Sequence, residues 1–155
     1  MNNERKWILR GGRVLNPAPF CLIGIVNVTP DSFSDGGKYI DPRNAVAHGL
    51  RLLDEGAGML DLGAESTRPF AEPVPEGEEI ARLMPVVARL REQRPDAVLS
   101  VDTLKAGTAR AALEGGADII NDVSACVADP ALLDVLAEYK PGYVLMHSQG
   151  SPREM

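Results

Sequence analysis

Basic residues are in deficit: 16 lysines and arginines face 22 aspartates and glutamates, for a formal net charge of −6. With no cationic surplus to neutralise a phosphate backbone, DNA or RNA is disfavoured as the main partner. A small anion stays within reach, because a helix N-terminus, a local arginine or a metal can hold it. Cysteine is also scarce. Cys21 and Cys126 form neither a CxxC pair nor a dense framework. That argues against structural zinc and a disulfide scaffold, and for a reducing compartment. No run approaches the roughly 18 uninterrupted apolar residues of a transmembrane helix, so no membrane partner is expected. Met1–Lys6 is polar and leads into Trp7-Ile8-Leu9 without the apolar core of a signal peptide. The expected location is the cytoplasm. Fifteen glycines and 12 prolines in 155 residues fall short of the roughly 25–30% that marks low complexity.

What is present is an ordinary globular composition, 45% hydrophobic and 25% charged, at the size of one domain. Residues 7–15 read as a hairpin around Gly11-Gly12, and Asn16-Pro17-Ala18-Pro19 breaks it. The expected division is an N-terminal hairpin and linker over 1–19 and an α/β domain over 20–155. From Phe20 onward, apolar runs of strand length alternate with amphipathic runs of helix length. The apolar runs are Cys21–Val26, Met59–Leu62, Ala97–Val101, Asp118–Ile120 and Tyr143–Met146. The first is apolar throughout, as expected of a strand covered on both faces. The first helix has Asp41 as N-cap, Pro42 at its first position, a stripe of Val46, Leu50, Leu53 and Ala57, and an end at Gly56. The second carries Ile80, Leu83, Met84, Val87 and Leu90, with Pro85 predicted to kink it. The third spans about Lys105–Glu114. The fourth is predicted to start at Asp129-Pro130 and to bury Leu132, Leu133 and Leu136.

Alternating strands and helices at short spacing predict a parallel sheet, either open and doubly wound or a (β/α)8 barrel. No GxGxxG follows the first strand. Polar residues follow or end all five apolar runs: Asn27, Asp61, Asp102, Asn121-Asp122 and His147-Ser148-Gln149. In a barrel those ends share one rim, where active sites are built; an open sheet uses mainly its switch point. The barrel is therefore expected, here as a hairpin plus about the first five strands and four helices.

The residue types narrow the chemistry. GxSxG, HExxH and Walker motifs are missing. Carboxamide and carboxylate oxygens suit a hard cation such as Mg2+, whose shell a substrate phosphate completes. Asp102 and Asn121 combine acceptors with a donor, a set able to read a flat, nitrogen-rich heterocycle. Arg68 lies in a glycine- and proline-rich segment and is a candidate anion clamp.

The stretch Asn27–Gly37 (NVTPDSFSDGG) resembles dihydropteroate synthase, the pterin-binding barrel family of folate biosynthesis and target of sulfonamides. Asp61–Pro69, Ser100–Thr103, Ile119–Ser124 and Leu145–Gly150 match in the same order, Ser148 being a variation. The resemblance implies a transferase that condenses 6-hydroxymethyl-7,8-dihydropterin diphosphate with 4-aminobenzoate, releasing diphosphate. It implies Asn27 as ligand of Mg2+, Asp102 and Asn121 as readers of the pterin ring, and Met146 as a pocket wall. It implies Thr67 and Arg68 as a loop that closes on the diphosphate and shapes the aminobenzoate site. Asp102 and Arg68 are the implied catalytic residues, and a homodimer is expected of the full-length enzyme. A pterin-dependent methyl-transferring barrel would share Asp102 and Asn121 but need neither Mg2+ nor the Thr67-Arg68 loop. A third possibility is a catalytically incomplete pterin-binding fragment.

Two departures stand out. Phe70 occupies a position where the family usually has glycine. The family's sixth to eighth strands, which supply an aspartate and a lysine for the pterin and an arginine and histidine for the diphosphate, have no counterpart in the 155 residues. Five strands do not close an eight-stranded barrel, so this chain alone is expected to self-associate and to lack turnover. Structural roles compete with some of these assignments. Asn27 could cap a turn and Asp102 a helix, and Asp122 and Glu65 could brace the rim. His48 is expected on a helix surface or in packing, His147 not as a base, and Cys21 in the core.

Overall fold

Leucine, isoleucine and valine dominate five short segments that pair side by side in chain order. The structure is a computed structural model that describes residues 6–29, 41–65 and 73–146. Trp7–Ile8 (β1) and Val14–Leu15 (β2) form a small antiparallel hairpin. Its turn needs Gly11 and Gly12, whose φ values of 69° and 79° lie in the left-handed region. Ile23–Asn27 (β3), Met59–Gly63 (β4), Leu99–Asp102 (β5), Ile119–Asp122 (β6) and Gly142–Leu145 (β7) form a parallel sheet in the order β3-β4-β5-β6-β7. That order has no reversal, as in the wall of a (β/α)8 barrel and unlike a doubly wound sheet. Pro42–Asp54 (α1), Glu76–Gln93 (α2), Ala106–Glu114 (α3) and Leu132–Tyr139 (α4) connect the strands.

The sheet has two unlike faces. Val26, Leu62, Val101, Ile120 and Tyr143 lie in one row, alternating with the inner residues, and join the main core with Leu83, Val86, Val87 and Leu90 of α2. A fully buried leucine there stabilises by about 1.5–3 kcal/mol. On the other face, the hairpin covers only the amino-terminal end: Leu9 is buried with Met59, Val98 and Ile119, and Trp7, Leu15 and Cys21 pack against them. Gly142 is glycine for this reason, since a Cβ would stand 2.7 Å from Leu9 and 2.8 Å from Ile119. The first strand is not covered on both faces as its composition predicted. Ile23 and Ile25 are 54% and 62% exposed, because only their neighbours Gly24 and Val26 turn towards α1 and the core.

The helices correct further expectations. Asp41 does cap α1, accepting from the Arg43 N–H at 2.9 Å, with Pro42 as the first residue. The helix ends at Asp54, so Ala57 lies beyond it. Helix α2 runs from Glu76 to Gln93 without interruption, with Pro85 on its exposed side. Helix α4 begins at Leu132 and not at Pro130. Leu133 is 59% exposed, and Val135 takes the buried place. Asp129 closes a turn to the Ala131 N–H with one oxygen and caps α3 with the other, accepting from Ala106 N–H at 2.8 Å. Glu76 of α2 accepts from the next amide, Gly107. The first turn of α3 is thus satisfied from two other segments.

Candidate functional site

The parallel register brings the polar strand ends together. Asn27, Gly63, Asp102, Asn121 and Val144 are consecutive partners across β3 to β7, hence one row on one face. One step towards the amino-terminal end lie Ile25, Asp61, Ser100, Ile119 and Gly142. Three of the predicted residues, Asn27, Asp102 and Asn121, therefore share the inner face, where Asp102 and Asn121 are half-buried and Gly63, between Asn27 and Asp102, is buried. Asn27 is exposed at the β3 end of the row. Met146 follows β7, is 39% exposed, and donates its N–H to the Asp122 carbonyl. Thr67, Arg68, Phe70 and His147, with most of the first motif, lie outside the described residues.

Asp61 joins this group and was missed as a site residue. Asn121 Nδ2 reaches across β5 to donate to Asp61 Oδ2 at 2.9 Å, which leaves the Asn121 carbonyl oxygen as an acceptor. Asp61 Oδ1 and the Ser100 hydroxyl are buried with no hydrogen-bond partner among the described residues. An aspartate inside Met59-Leu60-Asp61-Leu62, at the parity of Gly63, was the available signal.

Asp102 is not the cap of α3. Thr103 Oγ1 accepts from Lys105 N–H instead, and Asp129 and Glu76 serve the next two amides. Burial pushes the Asp102 carboxyl up to about 6, and the nearby Asp61, Glu79, Asp122 and Glu65 carboxylates add to the effect. Its ionisation therefore falls close to neutral pH.

Asp122 has a bracing role. It alternates with Asn121, so it belongs to the opposite face, and it is fully buried. Its oxygens accept from the Ser124 N–H and hydroxyl, the Cys126 N–H and the Tyr143 hydroxyl. Burial raises its carboxyl, but these hydrogen bonds outweigh it and the net shift is downward. They hold a turn in which Ala125 and Cys126 both have positive φ. Glu65 braces too. Lys105 bridges Glu65 and the buried Glu79, at 2.8 Å to the latter, and Thr108 also donates to Glu79. His48 lies on α1 within 3.0 Å of Arg51.

No group of three or more histidine, cysteine or acidic side chains is arranged to hold a metal among the described residues. None of the described helices is long and apolar enough to cross a membrane.

Comparison with known proteins adds a second line. The family described as "Pterin binding enzyme" matches residues 23–155. A dihydropteroate synthase of Mycobacterium leprae is 50% identical over 130 residues, covering 84% of this chain and 45% of that protein. Among solved structures, Xanthomonas albilineans dihydropteroate synthase with 4-aminobenzoic acid superposes with a TM-score of 0.82 at 49% identity. It covers 92% of this chain and 53% of that one. The Yersinia pestis dihydropteroate synthase with a sulfonamide drug gives 0.83 at 41% identity, covering 97% and 53%. The chain spans about half the length of the curated relatives it matches.

Proposed function

Because the chain belongs to the pterin binding enzyme family, we propose that the row Asn27–Gly63–Asp102–Asn121 is the pterin-diphosphate side of a dihydropteroate synthase site. The proposed reaction condenses 6-hydroxymethyl-7,8-dihydropterin diphosphate with 4-aminobenzoate and releases diphosphate, in the cytoplasm. The observation that supports this reading is the register, which sets Asn27, Asp102 and Asn121 in one row on the same face. The uncovered apolar surface beside them, Ile23 and Ile25, offers a flat wall to a ring or to further chain.

In this reading Asp102 accepts hydrogen bonds from ring N–H groups, and Asn121, its amide fixed by Asp61, accepts another. An ionised Asp102 in a desolvated place enriches the ring in electrons, which helps the link carbon part from its oxygen. The aminobenzoate nitrogen forms a C–N bond to that carbon. The C–O electron pair leaves with diphosphate, and the amine proton passes to solvent. Orientation on the rigid row supplies much of the acceleration. Mg2+ fits one carboxamide ligand at Asn27, since this ion keeps several waters and takes phosphate oxygens as its other ligands. When bound it neutralises charge on the departing diphosphate. Thr67 and Arg68 are proposed for the diphosphate and aminobenzoate end, Met146 for the ring wall. Sulfonamide binding and a homodimer belong to the same proposal.

The test is a titration of pterin diphosphate with and without Mg2+, beside a pteroate-formation assay run against a full-length relative. Mg2+-dependent binding is expected. Binding indifferent to Mg2+ would favour the methyl-transferring alternative.

A further inference from the structure

Asp61 interrupts the apolar strand Met59-Leu60-Asp61-Leu62 and is half-buried on the inner face. A carboxylate in that place carries a desolvation cost that an apolar side chain would not. The described fold gives little back for it. Among the described residues its side chain has one hydrogen-bond partner, Asn121 Nδ2 at 2.9 Å. The other oxygen, Oδ1, is buried with none, and so is the hydroxyl of Ser100, its register partner on β5. What Asp61 does in this fold is hold one amide.

An ionised carboxylate accepts hydrogen bonds and donates none. Asp61 therefore dictates which end of the Asn121 amide turns towards β4 and β5. It is the NH2 group, and the carbonyl oxygen takes the side of β7. One N–H goes to Asp61, and the second remains to donate. Asp102 is the register partner of Asn121 on β5. From β5 towards β7 the row thus offers an acceptor, a donor and an acceptor: the Asp102 carboxylate, the Asn121 N–H and the Asn121 oxygen. The complementary edge is donor, acceptor, donor. A 7,8-dihydropterin has that edge in N8–H, N1 and the 2-amino group. In 7,8-dihydrolumazine an oxygen replaces the 2-amino group, and the edge becomes donor, donor, acceptor. That edge would suit the row only with the Asn121 amide turned over. We propose that Asp61 is a positioning residue that locks the Asn121 amide in one orientation and so makes the row select a 2-amino ring over its 2-oxo counterpart. This deepens the reading of the site given above and rests on it.

Calorimetric titration of the full chain with 7,8-dihydropterin and with 7,8-dihydrolumazine tests this, for the unsubstituted protein and for Asp61→Asn. The unsubstituted chain is expected to prefer dihydropterin about 30-fold, the scale of one correctly ordered amide on a base edge. In Asp61→Asn the new amide donates to the Asn121 oxygen as readily as it accepts from the Asn121 NH2, so the lock is released. The preference should then fall about tenfold, mostly through gained affinity for dihydrolumazine. A merely structural role would weaken both probes alike. An unchanged preference in the variant, an equal loss for both probes, or no preference in the unsubstituted chain overturns the proposal and leaves the proposed function standing. If the unsubstituted chain binds neither probe, the proposed function fails and this inference with it. Should Asp61→Asn not fold, Asp61→Ser replaces it, because a hydroxyl also both donates and accepts. It should show the same fall in preference, and an unchanged preference would overturn the assignment.

Discussion

At the amino-terminal end of the sheet, Asp118 Oδ2 gathers Arg91 at 2.9 Å, Arg13 at 3.4 Å and the Leu99 N–H at 3.0 Å. Arg13 and Arg91 also donate to the Ala97 carbonyl, and Arg91 to that of Gly116. Trp7 and Leu9 close the apolar surface beside them. From the middle of the sheet to its carboxyl end the arrangement reverses. Asp61 Oδ1, Ser100 Oγ and Glu79 Oε1 are buried without a partner among the described residues, and Asp102 is pushed up to about 6. The same five strands carry both ends. Polar groups at the amino-terminal end are spent on each other and hold the fold; at the other end Asp122 and the Lys105–Glu65–Glu79 set do the same, but single oxygens of Asp61, Ser100 and Glu79 are left without a partner among the described residues. Barrel enzymes divide stability and function in this way.

The contrast yields graded tests. Asp118→Ala removes the shared acceptor and should cost the most, about 2–4 kcal/mol in urea unfolding. The figure is below that of a fully buried pair because Arg13 is a third exposed and screened. Gly142→Ala forces a methyl against Leu9, Ile119 and Trp7 and should cost about 1–3 kcal/mol. A loss under 0.5 kcal/mol for either would mean that the hairpin is not what closes this end.

At the other end the sign inverts. Asp102→Ala and Asn121→Ala should each weaken binding of a pterin lacking diphosphate by about 1–3 kcal/mol in calorimetry. Asp102→Asn, however, should stabilise the fold above neutral pH. A carboxyl raised in the folded state stabilises it fully below its ordinary pKa of 3.8, and that contribution is lost as pH rises through about 6. The gain, about 1–3 kcal/mol at pH 8, should vanish near pH 4 when melting is followed at both. Asn27→Ala is the smallest effect on stability, within about 0.5 kcal/mol for an exposed side chain. It should nonetheless remove the Mg2+ dependence of diphosphate binding.

Much of this was legible in the chain. Asp41-Pro42 announced α1, the Gly11-Gly12 turn announced the hairpin, and the polar residue ending each apolar run pointed to one rim. Pairing register was not legible, and register decides which of two adjacent residues faces the site. It put Asn121 on the inner face and Asp122 behind it. It exposed Ile23 and Ile25, whose composition alone predicted burial. Asp129 carries the sequence pattern of a cap for the helix after it, yet one of its oxygens serves the helix before it. Only the three-dimensional packing of the 122–131 segment against α3 creates that partner. Leu133 is exposed despite its apolar neighbours, because Leu132 and Val135, three residues apart, take the face of α4 that packs on the core.

The hairpin's anchors also bear on the order of events during synthesis. Arg13 reaches acceptors 82, 84 and 105 residues later in the chain, and Arg10 donates to a carbonyl 103 residues later. At ~5–20 residues per second, a ribosome takes roughly 4–20 s to deliver those partners. Until Val98 and Ile119 are made, Trp7 and Leu9 have only part of the surface they cover. The hairpin is made before the parallel strands and is among the last elements to find its place.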